Sequence, residues 1–452
     1  MLKAEDAFPL PEPLSARHKD SFAYTTMKDR QPVILTKVID YLFRERKEIA
    51  EVYGDDVLED LKAINELLAQ LRYELMTDKP LSPLNESELP DVHDWNHSLE
   101  EARFDCAAKH EDCSWFTAPW LLVECYLYRR IKDAFLKGSG TGKLKHFDFF
   151  ADQKKSSLLD SLSSVRILGN FLLDKLSHLQ PGNPDASKTL FFHMVELSLW
   201  GNKCDLCISG GNPNAHTSDP LADLDVFRQN ILSDHLDDIW SFVKSSMSLG
   251  PAEICFIADN AGFELFSDLA LADFCVSIGF ASKVVFHVKS FPWFVSDTVE
   301  SDVEFLLKVL EEEGLCSLAL RWKSYFETER WSIESDHFWT LSEPFPNMKK
   351  IRPLLYERLS RFRLLVVKGD LNYRKLLSDL NWEHHTSFEL ALRQFHPCAL
   401  VTLRTMKSDM VAGLRPSVGK NAHTIDPNWM ITGKYGLVQF SGRKDTESKC
   451  SV

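Results

Sequence analysis

Acidic and amide side chains follow two apolar segments in the second half of the chain. Asp259 and Asn260 come directly after E-I-C-F-I-A (253–258), and Asp297 ends the stretch that follows K-V-V-F-H-V (283–288). Two carboxylates about 4 Å apart repel each other by about 4 kcal/mol at an effective dielectric constant near 20, so a site that collects them favours a cation. Carboxylate and amide oxygens suit Mg²⁺ or Mn²⁺, whereas zinc more often takes His or Cys. The three side chains therefore predict a hard-metal site.

Basic side chains follow two further apolar segments. R-L-L-V-V-K (363–368) leads through a glycine turn into D-L-N-Y-R (370–374), and C-A-L-V-T-L-R (398–404) leads through Arg404 to Lys407. Lys and Arg at a neighbouring strand end can hold phosphate oxygens. Metals such as Mg²⁺ bind substrate phosphate in the positions that the protein leaves open. The four segments together predict a metal-assisted phosphate site.

Each of these features also has a structural interpretation. Asp259 and Asn260 are residues that favour helix caps, and Asp297 could cap the helix that follows it. Arg404 and Lys407 could be solvated surface charges. Because these groups occur together at successive strand ends, a binding site is favoured over several independent structural roles.

Short apolar segments rich in β-branched residues predict the strands that position these groups. Such segments, separated by helical ones, are typical of a mostly parallel sheet that is covered on both faces. Ligands of open α/β sheets bind beyond the carboxyl ends of the strands. The strands are predicted at 253–258, 283–288, 363–368, 398–404 and 435–440.

The first part of the chain has the helical periodicity of apolar residues three and four apart. We therefore predict an α/β fold class, in which an α-helical N-terminal region (1–190) packs on a three-layer α/β/α domain (191–446). The sheet of that domain is expected to be mostly parallel and Rossmann-like, and a disordered tail (447–452) is expected to follow. Helices are predicted at 32–50, 57–75, 118–131 and 157–176, with polar loops such as 78–97 between them.

Composition narrows the classes of partner. The net charge of −14 and the pI of about 5.6 argue against a surface for nucleic acid or anionic membranes. The N-terminus has no apolar core of a signal peptide, and no stretch reaches the roughly 18 apolar residues of a membrane span. Ten cysteines without an export signal indicate reduced thiols in the cytosol or nucleus. Cys204 and Cys207 have CxxC spacing but lack the further ligands that zinc needs. We predict a cytoplasmic protein without nucleic-acid or membrane partners.

The motifs at the strand ends resemble those of the metal-dependent damage-control phosphatase family. The R-T-M-K element (404–407) is the mark of its subfamily III, the sugar-phosphate phosphatases that have also been called acidic-residue methyltransferases. The other strand-end motifs are D-N-A-G-F-E-L (259–265), F-V-S-D (294–297) and K-G-D-L-N-Y-R (368–374). The resemblance extends nearly end to end through S-F-A-Y-T-T-M-K-D-R-Q-P (21–32), S-W-F-T-A-P-W-L-L-V-E (114–124), L-W-G-N-K-C-D-L (199–206) and D-P-N-W-M-I-T-G-K-Y-G-L-V-Q-F (426–440).

The resemblance implies a role for each motif. Asp259, Asn260 and Asp297 would be catalytic residues and the ligands of Mn²⁺, Co²⁺, Ni²⁺ or Mg²⁺. The implied substrate is a small phosphorylated sugar such as fructose 1-phosphate or fructose 6-phosphate, and the implied role is the repair of damaged metabolites. We expect a monomer. The implied substrate-binding residues are Glu264, Asp370, Leu371, Asn372, Tyr373, Arg374, Arg404 and Lys407, with Asn202 and Asp205 as accessory residues.

Two questions of chemistry stay open at this point. A metal-activated water and the Asp259 carboxylate are both candidate nucleophiles. Haloacid-dehalogenase phosphatases carry a second Asp two residues after their nucleophile, where this chain has Ala261, and this favours water or an acid–base role for Glu264. The alternative function is S-adenosylmethionine-dependent methylation of protein glutamate side chains. No glycine-rich loop follows an early strand, and methyl transfer to a carboxylate does not need a metal-centred cluster.

Overall fold

Helices form the first part of the molecule because their apolar residues fall on one face. A computed structural model of the protein describes residues 9–85, 87–179, 187–208 and 227–442, with only the backbone for 202–208. The helices of this part are α1 (Phe22–Thr25), which continues into a π-helix (Thr26–Arg30), α2 (Gln31–Arg44), α3 (Arg46–Tyr53), α4 (Val57–Met76), α5 (Val92–Ala108), α6 (Trp120–Gly138), α7 (Ala151–Asp160), α8 (Leu162–Ser177) and α9 (Lys188–Ile208).

Helix α6 differs from its neighbours in being buried almost all round. Large side chains such as Trp120, Tyr126 and Phe135 are at most 1% exposed. By contrast, α4 buries a single stripe that includes Leu61, Ile64 and Leu68. A helix that is apolar on every side lies inside a core, so α6 is the central helix of the N-terminal part.

A seven-stranded sheet forms the second part, in the order β1-β7-β6-β5-β2-β3-β4. Strands β6 and β7 pair antiparallel, and every other neighbouring pair is parallel. The strands are β1 (Ile231–Asp234), β2 (Ala252–Ile257), β3 (Ala281–Val288), β4 (Trp331–Ser335), β5 (Leu364–Lys368), β6 (Ala399–Thr405) and β7 (Gly436–Ser441). The helices between them are α10 (Leu236–Met247), α11 (Phe263–Ser277), α12 (Glu300–Glu312), α13 (Cys316–Glu327), α14 (Met348–Ile351), α15 (Pro353–Ser360), α16 (Gly369–Leu376), α17 (Phe388–Ala391) and α18 (Pro416–Ile425).

The sheet separates two apolar cores, because successive side chains of a strand point to opposite faces. Cys255 and Ile257 of β2 belong to the core that the N-terminal helices share with α16. Ile254 and Phe256 belong to the second core, with residues of α8 to α13. The predicted three-layer α/β fold with a mostly parallel sheet is confirmed. The first core runs from Ala16 to Leu437, so packing is continuous across the predicted domain boundary at 190, and the two-domain division stays a prediction.

Several element boundaries differ from the predicted ones. The helix predicted at 32–50 is two helices that meet at Glu45, and the one predicted at 157–176 is divided at Ser161. The segment 78–97, predicted as a loop, contains the start of α5 at Val92. Strands β1 and β4 were not predicted. The tail 447–452 lies outside the described residues.

No helix in the described ranges is both long enough and apolar enough to span a membrane.

Candidate functional site

Four strands deliver the predicted site residues to one edge of the sheet. Strand β2 pairs with β3 on one side and with β5 on the other, and β5 pairs in parallel with β6. The carboxyl ends of parallel neighbours lie side by side, so the segments that begin at Ala258, Lys289, Gly369 and Met406 emerge together. The sheet thereby brings Asp259, Asn260, Asp297, Asp370 and Lys407 to the same edge.

The segment that carries Asp297 folds back against the end of β2. Thr298 N–H donates to the Asp259 carbonyl at 2.7 Å, and Ala261 N–H donates to the Ser296 carbonyl at 2.8 Å. The turn requires positive φ at two non-glycine residues, Phe294 (43°) and Val295 (70°). A β-branched residue in that region is strained, and such strain is typical of functional segments.

The starts of the two following helices exclude the helix-capping interpretations of Asp259, Asn260 and Asp297. Helix α11 begins at Phe263 after Gly262, and no side chain caps it, so neither Asp259 nor Asn260 is its cap. Helix α12 begins at Glu300, and its N-cap residue is Val299, whose N–H donates to the carboxylate of Asp302 in the first turn at 2.8 Å.

Asn260 links the acidic side chains of the site. Its Nδ2 donates to Asp259 Oδ2 at 2.7 Å and to Glu264 Oε2 at 2.9 Å. Its Oδ1 accepts from the Ser296 hydroxyl at 2.5 Å. All three acidic and amide side chains are at most 9% exposed. Glu264 thus holds Asn260 in place beside Asp259.

Two buried lysines complete the site, and the sequence prediction missed both. Lys289 Nζ lies 3.0 Å from Asp297 Oδ2 and donates to the Ala258 carbonyl at 3.3 Å. Lys368 Nζ lies 3.0 Å from Asp268 Oδ1 and 3.5 Å from Glu264 Oε1. The available signal was a lysine that closes an otherwise apolar strand, as in V-F-H-V-K and L-L-V-V-K.

The negative charge of the carboxylates at this edge exceeds the positive charge of the lysines. Burial, together with the charges of Glu264 and Asp297, raises the pKa of Asp259 well above its usual range, although Lys289 and Lys407 oppose the shift. Burial also raises the pKa of Asp297 in spite of the Lys289 ammonium beside it. Negative charge at this edge therefore lacks a full counter-charge, and a bound cation would supply it.

The donor set fits a hard divalent ion. It consists of two carboxylates and one amide, all oxygen donors, on residues 259, 260 and 297. Within the described part of the chain, no cluster of three or more His, Cys, Asp or Glu side chains has a metal-binding arrangement. The proposed set has only two such residues, and its third protein donor is the Asn260 amide.

Gly369 lies directly against the Asp259 carboxylate. A Cβ atom at this position would be 2.0 Å from Asp259 Oδ2, and the φ of Gly369 is 81°. Both the space and the backbone conformation therefore require glycine. The close approach of α16 to β2 depends on this one residue.

The R-T-M-K segment is anchored by an ion pair between the buried Arg404 and the partly buried Asp370. Arg404 Nε donates to Asp370 Oδ1 at 2.8 Å, and the same oxygen accepts from Lys407 N–H at 3.0 Å. Arg404 is 0% exposed and also donates to the Met410 carbonyl and to Ser408, so it is not the surface charge that the structural interpretation supposed. Lys407 is exposed, and its ammonium makes no hydrogen bond or ion pair with the residues that the structure describes.

The rest of the D-L-N-Y-R segment points into the core. Leu371 is buried, and Tyr373 donates through its hydroxyl to Gln439 at 2.9 Å. Asn372 Nδ2 donates to the Ala258 and Lys368 carbonyls at 3.2 and 2.9 Å, and so ties the end of β2 to the end of β5.

Arg374 is fully engaged by buried partners within the protein. Its Nε and Nη2 donate to the two carboxylate oxygens of Asp379 at 2.8 and 2.9 Å, and its Nη1 donates to Glu124 at 2.5 Å. The guanidinium lies 3.5 Å from the Trp120 ring centroid. This engagement places Arg374 among the buried scaffold residues.

Asn202 and Asp205 lie on α9, where only the backbone is described, so the accessory role predicted for them stays a prediction.

A cleft of about 1280 Å³ opens onto the site. The π-helix and α2 form one wall and α7 forms another. Asn260, Ala261 and Ser296 line the part that belongs to the strand ends. The site is therefore reached through the N-terminal helical region.

Comparison with known proteins identifies the family of the chain. The family model of the damage-control phosphatase ARMT1-like domain matches residues 26–422. Proteins named damage-control phosphatase ARMT1 from Mus musculus, Danio rerio and Homo sapiens are 38%, 38% and 37% identical to this chain. The alignments cover 95%, 97% and 96% of this chain and 98%, 99% and 99% of those proteins.

Proposed function

Because this chain belongs to the ARMT1-like damage-control phosphatase family, we propose that it hydrolyses phosphate monoesters of small sugars such as fructose 1-phosphate or fructose 6-phosphate. The family predicted from the motifs is confirmed, and with it the assignment of the chain as a phosphatase. The observation that carries the substrate proposal is the excess of buried carboxylate beside an exposed, unpaired lysine at one edge of the sheet. We further propose a monomer that acts in the cytoplasm.

We assign the divalent metal to Asp259, Asn260 and Asp297. When bound, a Mn²⁺, Co²⁺, Ni²⁺ or Mg²⁺ ion would neutralise the phosphoryl oxygens and polarise the phosphorus for attack. Glu264 would keep Asn260 oriented through its hydrogen bond, and Lys289 would keep Asp297 oriented through its ion pair.

Lys407 would hold the phosphate. Its backbone N–H is fixed on the Asp370 carboxylate, which is in turn fixed by Arg404, while its ammonium stays available. An ammonium at that position adds positive charge where negative charge develops during phosphoryl transfer. The segments that follow β5 and β6 would therefore be positioned by Asp370, Asn372 and Arg404.

Water is the nucleophile that the site favours over Asp259. The Asp259 carboxylate accepts from Asn260 and is confined by Gly369. Ala261 supplies no acid to protonate a leaving group in an aspartyl-phosphate route. Glu264, the other candidate acid–base group, is engaged with Asn260 and Lys368.

A phosphate-release assay tests the proposal. Purified protein is incubated with a panel of sugar phosphates in the presence and absence of Mn²⁺, Co²⁺, Ni²⁺ or Mg²⁺, with transfer of labelled methyl groups from S-adenosylmethionine measured in parallel. We expect metal-dependent release from fructose phosphates and no methyl transfer. Asp259→Asn should be inactive, whereas Asp40→Asn, which removes a carboxylate on the exposed face of α2, should match the wild type. Release without metal, or methyl transfer alone, would refute the proposal.

A further inference from the structure

Two segments that carry the family resemblance contribute no metal ligand, yet they contact each other. Segment 21–32 contains α1 and the π-helix, and segment 114–124 leads into α6. The Phe22 ring meets Trp120 edge-on at 5.9 Å and 88°. Gln31 Nε2 donates to Glu124 Oε1 at 2.9 Å. The two motifs therefore form one structural unit.

This unit is joined to the segment that carries Asp370 and to the segment that carries Lys407. Arg374, which follows Asp370 on α16, bonds Glu124 Oε2 and stacks on Trp120. Asp409 of the loop that carries Lys407 accepts from Phe22 N–H at 3.1 Å. Segment 21–32 is thus fixed relative to the site by a buried ion pair on one side and a carboxylate on the other.

Segment 21–32 also forms a wall of the cleft. Phe22, Thr25, Thr26, Asp29 and Arg30 line the same cavity as Asn260 and Ser296. The wall is built on a π-helix, a rare widening of the helical turn that occurs frequently at functional sites. The buried hydroxyl of Thr26 has no hydrogen-bond partner in the described part of the chain. A polar atom left in this state at a cleft suits a polar ligand or water.

Arg30 is the cation of this wall that is nearest in sequence to the fixed Gln31. It is exposed, and its guanidinium makes no hydrogen bond or ion pair with any residue of the described ranges. Arg374 is the opposite case, because its Nε, Nη1 and Nη2 all donate to carboxylates. Of the two arginines, only Arg30 has donors available for a substrate.

We propose that segment 21–32 selects the substrate, with Arg30 donating hydrogen bonds to hydroxyl oxygens of the sugar and Glu124 and Arg374 as positioning residues. This inference rests on the proposed function, because the phosphoryl group must lie at the metal ligands for the rest of the substrate to reach the wall. It removes Arg374 from the predicted substrate ligands and adds Arg30, which was not among them.

Kinetics of Arg30→Gln test the substrate contact. A charged hydrogen bond to the sugar contributes to binding in the ground state, so KM for fructose 1-phosphate should rise about tenfold or more while kcat stays within about threefold. Methyl phosphate shares only the phosphoryl group, and its kcat/KM should change by less than about threefold. The control Arg44→Gln removes the same charge from the end of α2, outside the cleft, and it should match the wild type.

Gln31→Met tests the positioning role and leaves the ion pair between Glu124 and Arg374 in place. It removes the bond to Glu124 and should reproduce the selective rise in KM at smaller amplitude. Glu124→Gln should do the same, and if that variant does not fold, Gln31→Met decides. The inference would be overturned if Arg30→Gln had the same kinetics as Arg44→Gln. It would also be overturned if Arg30→Gln lost as much kcat/KM with methyl phosphate as with fructose 1-phosphate. Both results would leave the proposed function intact. A wild type without metal-dependent phosphate release would overturn both.

Discussion

Asp259 and Asp370 occupy comparable places in the fold but have opposite electrostatics. Each follows a buried strand at the same edge of the sheet; the Asp259 carboxyl group is buried, and that of Asp370 is partly buried. Burial and the acidic neighbours of Asp259 raise its pKa. Burial acts on Asp370 too, but the Arg404 and Arg374 guanidinium groups outweigh it and hold the pKa of Asp370 below its usual range.

The difference separates a binding site from its scaffold. At Asp370, each charged group is matched by a partner with direct hydrogen-bond geometry, so the cluster is complete without a ligand. At Asp259, the carboxylates exceed the lysines, so the metal ion that we propose there would complete the cluster. Both clusters bury charge, but of the two only the Asp259 cluster lacks a full counter-charge.

Asp259→Asn should have the largest effect on activity. We expect metal-dependent phosphatase activity to fall by at least about a thousandfold, because a metal ligand and its charge are lost. The metal-free variant should be more stable than the wild type, since a repelled carboxylate is gone. Phosphate release and urea unfolding measure the two effects. Near-normal turnover with Mn²⁺ or Mg²⁺ would show that the site is assigned wrongly.

Arg404→Gln should have the opposite effect on stability. Removal of the buried guanidinium leaves the Asp370 carboxylate with the Lys407 N–H but without its ion-pair partner, and breaking such a pair costs about 3 kcal/mol. Urea unfolding of the metal-free protein gives the change in the free energy of unfolding. A variant as stable as Asp259→Asn would contradict the distinction between the two clusters.

Gly369→Ala tests whether close packing against the Asp259 carboxylate matters for activity. A Cβ atom there would clash with the carboxylate, and displacing a reacting group by about 1 Å can lower activity about a hundredfold. The matched control is Gly279→Ala, which has the same φ of 81° but nothing within 4 Å of the added atom. The control should lose only about 1 kcal/mol of stability and keep its activity. Equal activity of the two variants would contradict the proposed contact.

His287 gives the smallest expected effect, in the scaffold behind the site. Burial lowers its pKa from 6.5 to about 4, while the neighbouring Glu334 opposes the shift. Between those values the unfolded chain binds a proton that the folded protein does not, so stability is lost as the pH falls through this range. From pH 6.5 to 5 the loss from this one group should be about 1.6 kcal/mol.

His287→Gln isolates this contribution from that of the carboxylates. Its side-chain oxygen can still accept from Trp339 Nε1, which donates to His287 Nδ1 at 3.2 Å. Urea unfolding at pH 6.5 and pH 5 should show a smaller decrease for the variant than for the wild type. The same decrease in both proteins would contradict the assigned protonation.

The fold was predicted where the sequence signal is local and strong. All five apolar segments are strands, because near-continuous burial leaves an unmistakable apolar run. The missed strands, Ile231–Asp234 and Trp331–Ser335, are short and lie at the two edges of the sheet, where half-exposed residues dilute the pattern. The breaks at Glu45 and Ser161 leave the helical periodicity on both sides nearly unchanged.

The site was predictable in residue type but not in orientation. Strand ends indicated which segments meet, since parallel neighbours end at one edge. The partner of Arg374 is Glu124, 250 positions away in the chain, so no local pattern reports that this arginine is already paired. Lys289 and Lys368 were missed for a related reason, because a lysine at the end of an apolar strand has the same sequence signature whether it is solvated or buried.

Binding of Mn²⁺ to the unmodified protein tests whether the unbalanced carboxylates of Asp259 and Asp297 hold a metal ion. Calorimetric titration and thermal unfolding of the wild type should show saturable binding that raises Tm, because an ion that binds only the folded state stabilises it. In Asp259→Asn both the binding and the rise in Tm should be lost, while Gly279→Ala should keep them. An equal rise in Tm for the wild type and Asp259→Asn, or no binding to the wild type, would contradict the claim that the unbalanced carboxylates are a metal site.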